Sequence, residues 1–186
     1  MVNSAVYDAS RGASDGVTQA EVVACFNTAF AAEFGVRMVG GATEPAYLPR
    51  TPRRAAIIYC REDFASSALH EAAHWLVATK AQWAFEDYGQ IYVPPPRNPA
   101  AQARFYAAEL PVQALECWLA RRAQIPFHAS ADDPDSSLPV LRAFQARVEQ
   151  IAAWFDTPVG ALLLPPLAQR LALQITRVTA GLRTHY

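Results

Sequence analysis

Cysteine is scarce in this chain. Its 186 residues hold three, Cys25, Cys60 and Cys117, scattered and odd in number, with no C-x-x-C pair. That argues against a disulfide framework and a thiolate zinc knuckle, and it fits reduced thiols in a cytoplasm. Long apolar runs are missing as well. No stretch approaches the roughly 18 consecutive apolar residues that a membrane span needs, and Met1 to Ser14 lacks the apolar core of a secretory signal. Charge of one sign is also missing. Sixteen basic side chains stand against seventeen acidic ones, a net charge of −1, so electrostatics make no case for a nucleic-acid or anionic-membrane partner. The local basic groups, Arg50 with Arg53 and Arg54, and Arg121 with Arg122, read as solvated surface.

What is present is apolar content, 52% of the residues, enough for one globular core. Residues 1–16, rich in Ser, Ala, Gly and Asp, are expected to be a flexible N-terminus, and residues 17–186 a single metal-dependent catalytic domain. Thr18 with Glu21 forms a capping-box pattern. Val22, Cys25, Phe26, Ala29, Phe30 and Phe34 then recur at three and four, predicting a helix that Gly35 ends. Short strands are expected at Val36 to Val39, Ala55 to Cys60 and Gln90 to Val93, with an extended loop over Glu44 to Arg54. Further helices are expected over Asp63 to Gln82, Asn98 to about Ala107, Pro111 to Gln124, Leu141 to Phe155 and Pro166 to Leu182. The tally is an α+β fold: one helix-rich domain with a small sheet.

Within the second of these helices lies His70-Glu71-Ala72-Ala73-His74, an H-E-x-x-H run. Histidines four apart lie one above the other on a helix face, so both imidazoles reach one metal ion, and Glu71 can address the ion or its bound water. Ala72 and Ala73 leave room for close packing, while Leu69, Trp75, Leu76 and Val77 set the site into a core. The bland alternative is two structural histidines in a binding module without catalysis.

Two histidines need a third protein ligand. Glu116 is the favoured one, 42 residues beyond His74 (116 − 74), on a face with Val112, Leu119 and Ala120, where a carboxylate is costly unless it pairs or coordinates. His128, Glu86, Asp87 and Asp132 compete for that place. The set permits zinc hydrolysis with Glu71 as general base, or a non-haem iron centre with open positions for dioxygen and substrate. Ligand types alone do not separate the two.

The run Ser67 to Trp75 resembles the elongation factor P hydroxylase family. So do Asp87-Tyr88-Gly89 with Tyr92, Gln113-Ala114-Leu115-Glu116, and Pro126-Phe127-His128 leading into Asp132 and Asp133. Upstream, Glu44 to Pro49 and Ile57-Ile58 join the likeness, which runs in order from about Thr18 to Asp133. The resemblance implies a bacterial cytoplasmic monooxygenase that hydroxylates elongation factor P already carrying a β-lysyl group on a lysine. It implies Fe(II) as cofactor, zinc as an alternative occupant, and dioxygen as co-substrate. The metal region would be zincin-like, with His70, His74 and Glu116 as ligands and Glu71 as the catalytic carboxylate. Nothing resembles the H-x-D pattern of 2-oxoglutarate oxygenases, so that co-substrate is not implied. A long cationic substrate side chain calls for carboxylates and aromatic faces. Asp87, Tyr88 and Tyr92 after the metal helix, and His128 and Asp132 further on, are the expected substrate-binding residues, with Glu86, Asp133 and Asp135 nearby. The alternative reading is a zinc metallopeptidase, with Ile57 to Tyr59 as its substrate-binding edge strand.

Overall fold

The computed structural model describes residues 16–62, 64–133 and 136–183. The expected flexible N-terminus, apart from Gly16, lies outside the described residues, as do Asp63 and Asp135.

Helix α1 (Gln19–Phe34) begins at the Thr18 capping box: Thr18 N–H donates to Glu21 Oε2 at 2.8 Å, and Glu21 N–H donates to Thr18 Oγ1 at 3.3 Å. It ends at Gly35, whose φ of 61° costs nothing without a Cβ. Its buried stripe is Val22, Cys25, Phe26, Ala29 and Phe30, the spacing of an amphipathic helix. Strand β1 (Val36–Ala42) follows, then β2 (Ala46–Leu48) and β3 (Ala56–Arg61). The sheet order is β1-β3-β2, with β1 parallel and β2 antiparallel to β3. Ala56, Ile58 and Cys60 alternate inward along β3.

The chain passes from β3 into α2 (Ala65–Val77), the helix that carries His70 and His74. That junction is tied to α1 by the Gln19 amide, which donates to Arg61 O and Phe64 O, both at 3.1 Å. Gly40 packs closely on this tie: a Cβ there would lie 2.3 Å from Gln19 Oε1 and push the amide aside. Trp75, 1% exposed, fixes the other side of α2 in an aromatic cluster with Phe26, Phe30, Phe34 and Trp83. After two short 3-10 turns, Gln82–Ala84 and Glu86–Gly89, comes the long α3 (Pro99–Ala123), then α4 (Leu138–Trp154), α5 (Pro158–Ala161) and α6 (Pro166–Arg183). Helix α2 is enclosed by α1, α3 and β3, so the H-E-x-x-H run sits against the centre of the fold. Among the described residues, no helix is long and apolar enough to cross a membrane. The domain is helix-rich with one three-stranded sheet, an α+β arrangement.

Four expectations need correcting. Helix α2 stops at Val77 rather than Gln82, because Thr79 and Gln82 cap a fresh turn reciprocally: Thr79 N–H donates to Gln82 Oε1 at 2.9 Å, and Gln82 N–H to Thr79 Oγ1 at 3.3 Å. Gln90 to Val93 forms no strand and pairs with neither edge of the sheet. The loop Glu44 to Arg54 contains β2. The two helices expected on either side of Pro111 are one helix. Pro111 is exposed and gives up a backbone hydrogen bond, but Val112, Ala114, Leu115, Cys117, Trp118 and Leu119 are all buried immediately after it, and that packing holds the helix through.

Candidate metal centre

The continuous α3 decides the site, because it lays Glu109, Gln113 and Glu116 along one face at i, i+4 and i+7. That face meets α2 where His70 and His74 project. His74 Nε2 lies 3.1 Å from His70 Nε2 and 3.4 Å from Glu109 Oε1, and His70 Nε2 lies 3.8 Å from Glu109 Oε2. Donors bonded at about 2.1 Å to one ion stand roughly 3.0 to 3.7 Å apart over the usual coordination angles. The three donor atoms lie within 4.8 Å of one another and are positioned to hold a metal ion.

Glu116, the third ligand expected from the sequence, meets the other side of the ring. Its Oε2 accepts from His70 Nδ1 at 2.8 Å. A nitrogen that donates to this carboxylate cannot also face His74 and Glu109, so the geometry divides the two glutamates between the two nitrogens of His70. Gln113, 1% exposed, holds the inner one: its amide donates to Glu109 Oε2 at 3.1 Å and to Ser130 O at 2.9 Å, and its Oε1 accepts from Ser130 N–H at 3.0 Å. The 128–132 loop is thereby fastened beside Glu109.

The electrostatics are divided in the same way. Burial disfavours a charge on His70, yet the Glu116 carboxylate, with Glu71 and Glu109 behind it, prevails and raises its pKa to about 10. Burial, and then the charge on His70, push His74 down to about 3. His70 Nε2 and His74 Nε2 face each other at 3.1 Å, in the place a cation would take. Glu71 is 8% exposed, and burial lifts its pKa to about 7 against the opposing pull of His70. Burial also raises Glu109, with His70 and Gln113 opposing.

Tyr88 closes the other flank. Asp87, Tyr88 and Gly89 all have positive φ, at 44°, 60° and 71°. Only the last is a glycine, so this turn is strained in the way that marks functional segments. Asp87 Oδ1 accepts from Tyr47 N–H at 2.8 Å. The turn places the Tyr88 ring between Tyr47, stacked at 4.4 Å, and His74, near-parallel at 6.1 Å. The Tyr88 hydroxyl is buried without a hydrogen-bond partner.

The remaining expected substrate residues are spread more widely. Tyr92 is exposed and its hydroxyl donates to Asp132 Oδ2 at 2.8 Å. Asp132 also accepts from Arg97 at 2.6 Å. His128 is exposed and stands outside the donor cluster. The three cysteines are buried free thiols. Strand β3, expected as a substrate-binding edge in the peptidase reading, is paired on both sides. Glu109 is the residue that sequence reasoning missed. Its signal was the E-x3-Q-x2-E spacing on a helix face that is otherwise apolar.

The family model described as Elongation factor P hydroxylase matches residues 25–173. The chain is 42% identical over 140 residues to the Elongation factor P lysine hydroxylase of Haemophilus influenzae, covering 73% of this chain and 78% of that protein.

Proposed function

The chain belongs to the elongation factor P hydroxylase family, and on that premise we propose that it hydroxylates the β-lysylated lysine of elongation factor P at one non-haem iron. The observation that carries this reading is the convergence of His70, His74 and Glu109 from two helices. Hydroxylation of a carbon requires redox chemistry that zinc lacks, whereas Fe(II) held by two histidines and one carboxylate supplies activation of dioxygen.

The protein's own groups have distinct tasks in this scheme. His70 Nε2, His74 Nε2 and a Glu109 oxygen would hold the ion. Glu116 keeps the proton on His70 Nδ1 and so fixes the tautomer and the ring plane, the usual work of a carboxylate behind a histidine ligand. Gln113 holds Glu109 in its rotamer. Glu71, with a pKa near neutrality, holds or returns a proton beside the ion. Glu71, Glu109 and Glu116, the carboxylates that act on His70, make the surroundings of the ion acidic, which favours the substrate ammonium. The Tyr88 ring walls the pocket, while Asp87 and Asp132, already committed to Tyr47 and Arg97, shape it. The described residues act as one metal-dependent domain.

The peptidase reading of the same helix has less support, because β3, the strand expected to bind its substrate, is paired on both sides. Mass spectrometry of elongation factor P from cells with and without this gene tests the proposal. The expected result is a loss of one oxygen atom's mass from the modified lysine in the deletion strain. An unchanged mass overturns the reading. His70→Ala and His74→Ala should each abolish hydroxylation in a folded protein. If the histidines are merely structural, those variants lower stability and leave hydroxylation in place.

A further inference from the structure

We propose that the strap of residues 85–97, alongside the metal centre, is the surface on which the body of elongation factor P docks; this rests on the function proposed above. The strap carries an unusual load of uncovered apolar side chains. Phe85 is 60% exposed, Ile91 91%, Tyr92 63% and Val93 46%. Scattered single hydrophobics need no explanation, but a run of them on one segment marks an interaction site.

The run is held in place. Arg97, with its side chain 1% exposed, donates from Nε to Val93 O at 2.6 Å, and from its terminal nitrogens to Asp132 O at 2.9 Å and Asp132 Oδ2 at 2.6 Å. Its guanidinium lies 4.2 Å from the Phe105 ring centroid, and Tyr92 closes the knot on Asp132. A buried arginine in so many contacts prevents the strap from folding its apolar residues inward, so they stay presented.

The occupant follows from continuity with the centre. Asp132 lies in the loop that Gln113 fastens at Ser130, and Gln113 also holds Glu109. The strap is thus tied to Glu109 through Asp132, Ser130 and Gln113. The His70 side chain, 29% exposed, is the opening of the site. A lysine side chain entering there brings the protein that bears it over the neighbouring surface. The carboxylates of the centre take the cationic side chain, and the apolar strap takes the surface around its root. Another exposed apolar pair, Leu162 and Leu163 at 82% and 66%, lies on the α5–α6 connection and serves as the comparison.

Two paired variants test this. Ile91→Ser/Val93→Ser removes strap contacts, and Leu162→Ser/Leu163→Ser is the control. For the strap pair, partial burial of two aliphatic side chains, about half of each, sets the scale at about ten- to a hundredfold. KM for β-lysylated elongation factor P should rise by that factor with kcat kept, and binding of metal-free enzyme to the same protein should weaken in parallel. A short peptide bearing the modified lysine should be turned over as before, and the control pair should match the wild type. All four positions are exposed, so melting temperatures should be unchanged; the single variant Ile91→Asp provides an independent check. Unchanged KM and affinity in both strap variants, or an equal loss in the control, overturns the proposal. A wild-type enzyme that binds elongation factor P but does not hydroxylate it overturns the proposed function and leaves the docking result standing on the binding assay.

Discussion

Replacing Glu116 with Gln separates the two carboxylates of α3. The Gln carbonyl retains an acceptor for His70 Nδ1–H, where Glu116 Oε2 now sits at 2.8 Å. What is lost is the negative charge behind the imidazole, which makes Nε2 a stronger donor to a cation. Losses of such outer carboxylates weaken metal binding by roughly ten- to a hundredfold, or about 1.4 to 2.7 kcal/mol. Glu109→Gln is a different perturbation. It replaces a charged donor that lies 3.4 Å from His74 Nε2 and 3.8 Å from His70 Nε2, leaving two neutral imidazoles to hold the ion. Its affinity loss should exceed that of Glu116→Gln by a clear margin. Anaerobic Fe(II) titration, or Zn(II) titration against a chromophoric chelator, reads both variants, with circular dichroism to show that each is folded. The reasoning fails if Glu116→Gln abolishes binding while Glu109→Gln retains it. That outcome would mean that His70 presents Nδ1 to the metal and that Glu116 is the direct donor.

The protons of the centre give a second prediction. His70 is raised to about 10 in the metal-free fold, so its stabilising contribution is complete below the unfolded value of about 6.5 and is lost as pH climbs through 10. His74, lowered to about 3, acts in the opposite direction and only on the acid side of neutrality. Melting temperature of the metal-free protein should therefore fall between pH 7 and 10. Metal affinity should rise over the same interval, because the ion displaces the His70 proton; a flat or inverted pair of profiles contradicts the assignment. Gln113→Ala leaves Glu109 and Ser130 short of buried partners. It should lower unfolding free energy by about 1 to 3 kcal/mol and weaken metal binding as well, measured by urea unfolding and by metal titration.

Local rules carried the N-terminal half of the fold. Thr18 and Glu21 are three apart, and Gly35 follows the last apolar residue of the stripe, so both ends of α1 could be placed from chemistry acting within a few residues. The same rule, applied at Thr79 and Gln82, would have ended α2 five residues earlier than expected. Gln90 to Val93 has strand-forming residues, but a strand needs a neighbour, and whether one is present is a property of the whole sheet. Its apolar side chains instead remain exposed, held by Arg97, a residue whose partner Asp132 is 35 positions away. No local pattern announces that contact.

The site divides along the same line. His70 and His74 lie within one helical turn, and their spacing is a local fact. Glu116 stood out as a carboxylate among apolar neighbours on a helix that every cue supported. Glu109 has the same character: it is 7% exposed and lies two turns from Glu116. It was hidden by a break assumed at Pro111. The local cost of a proline inside a helix, about 3 kcal/mol or more, argues for that break. The buried residues that follow Pro111 argue against it, since hydrophobic burial of one large side chain is worth about 1.5 to 3 kcal/mol, and Val112, Leu115, Trp118 and Leu119 are all in the core. Once the core keeps the helix whole, Glu109, Gln113 and Glu116 fall on one line, and the inner and outer carboxylates of His70 are set by a single rigid element. A centre built that way should resist local loosening. Breaking α3 with a second internal proline at exposed Ala108 (Ala108→Pro) should therefore reduce metal binding more than Glu116→Gln does, although Ala108 supplies no donor to the centre. Retention of full metal affinity in that variant would show that the two carboxylates are positioned independently of the helix that joins them.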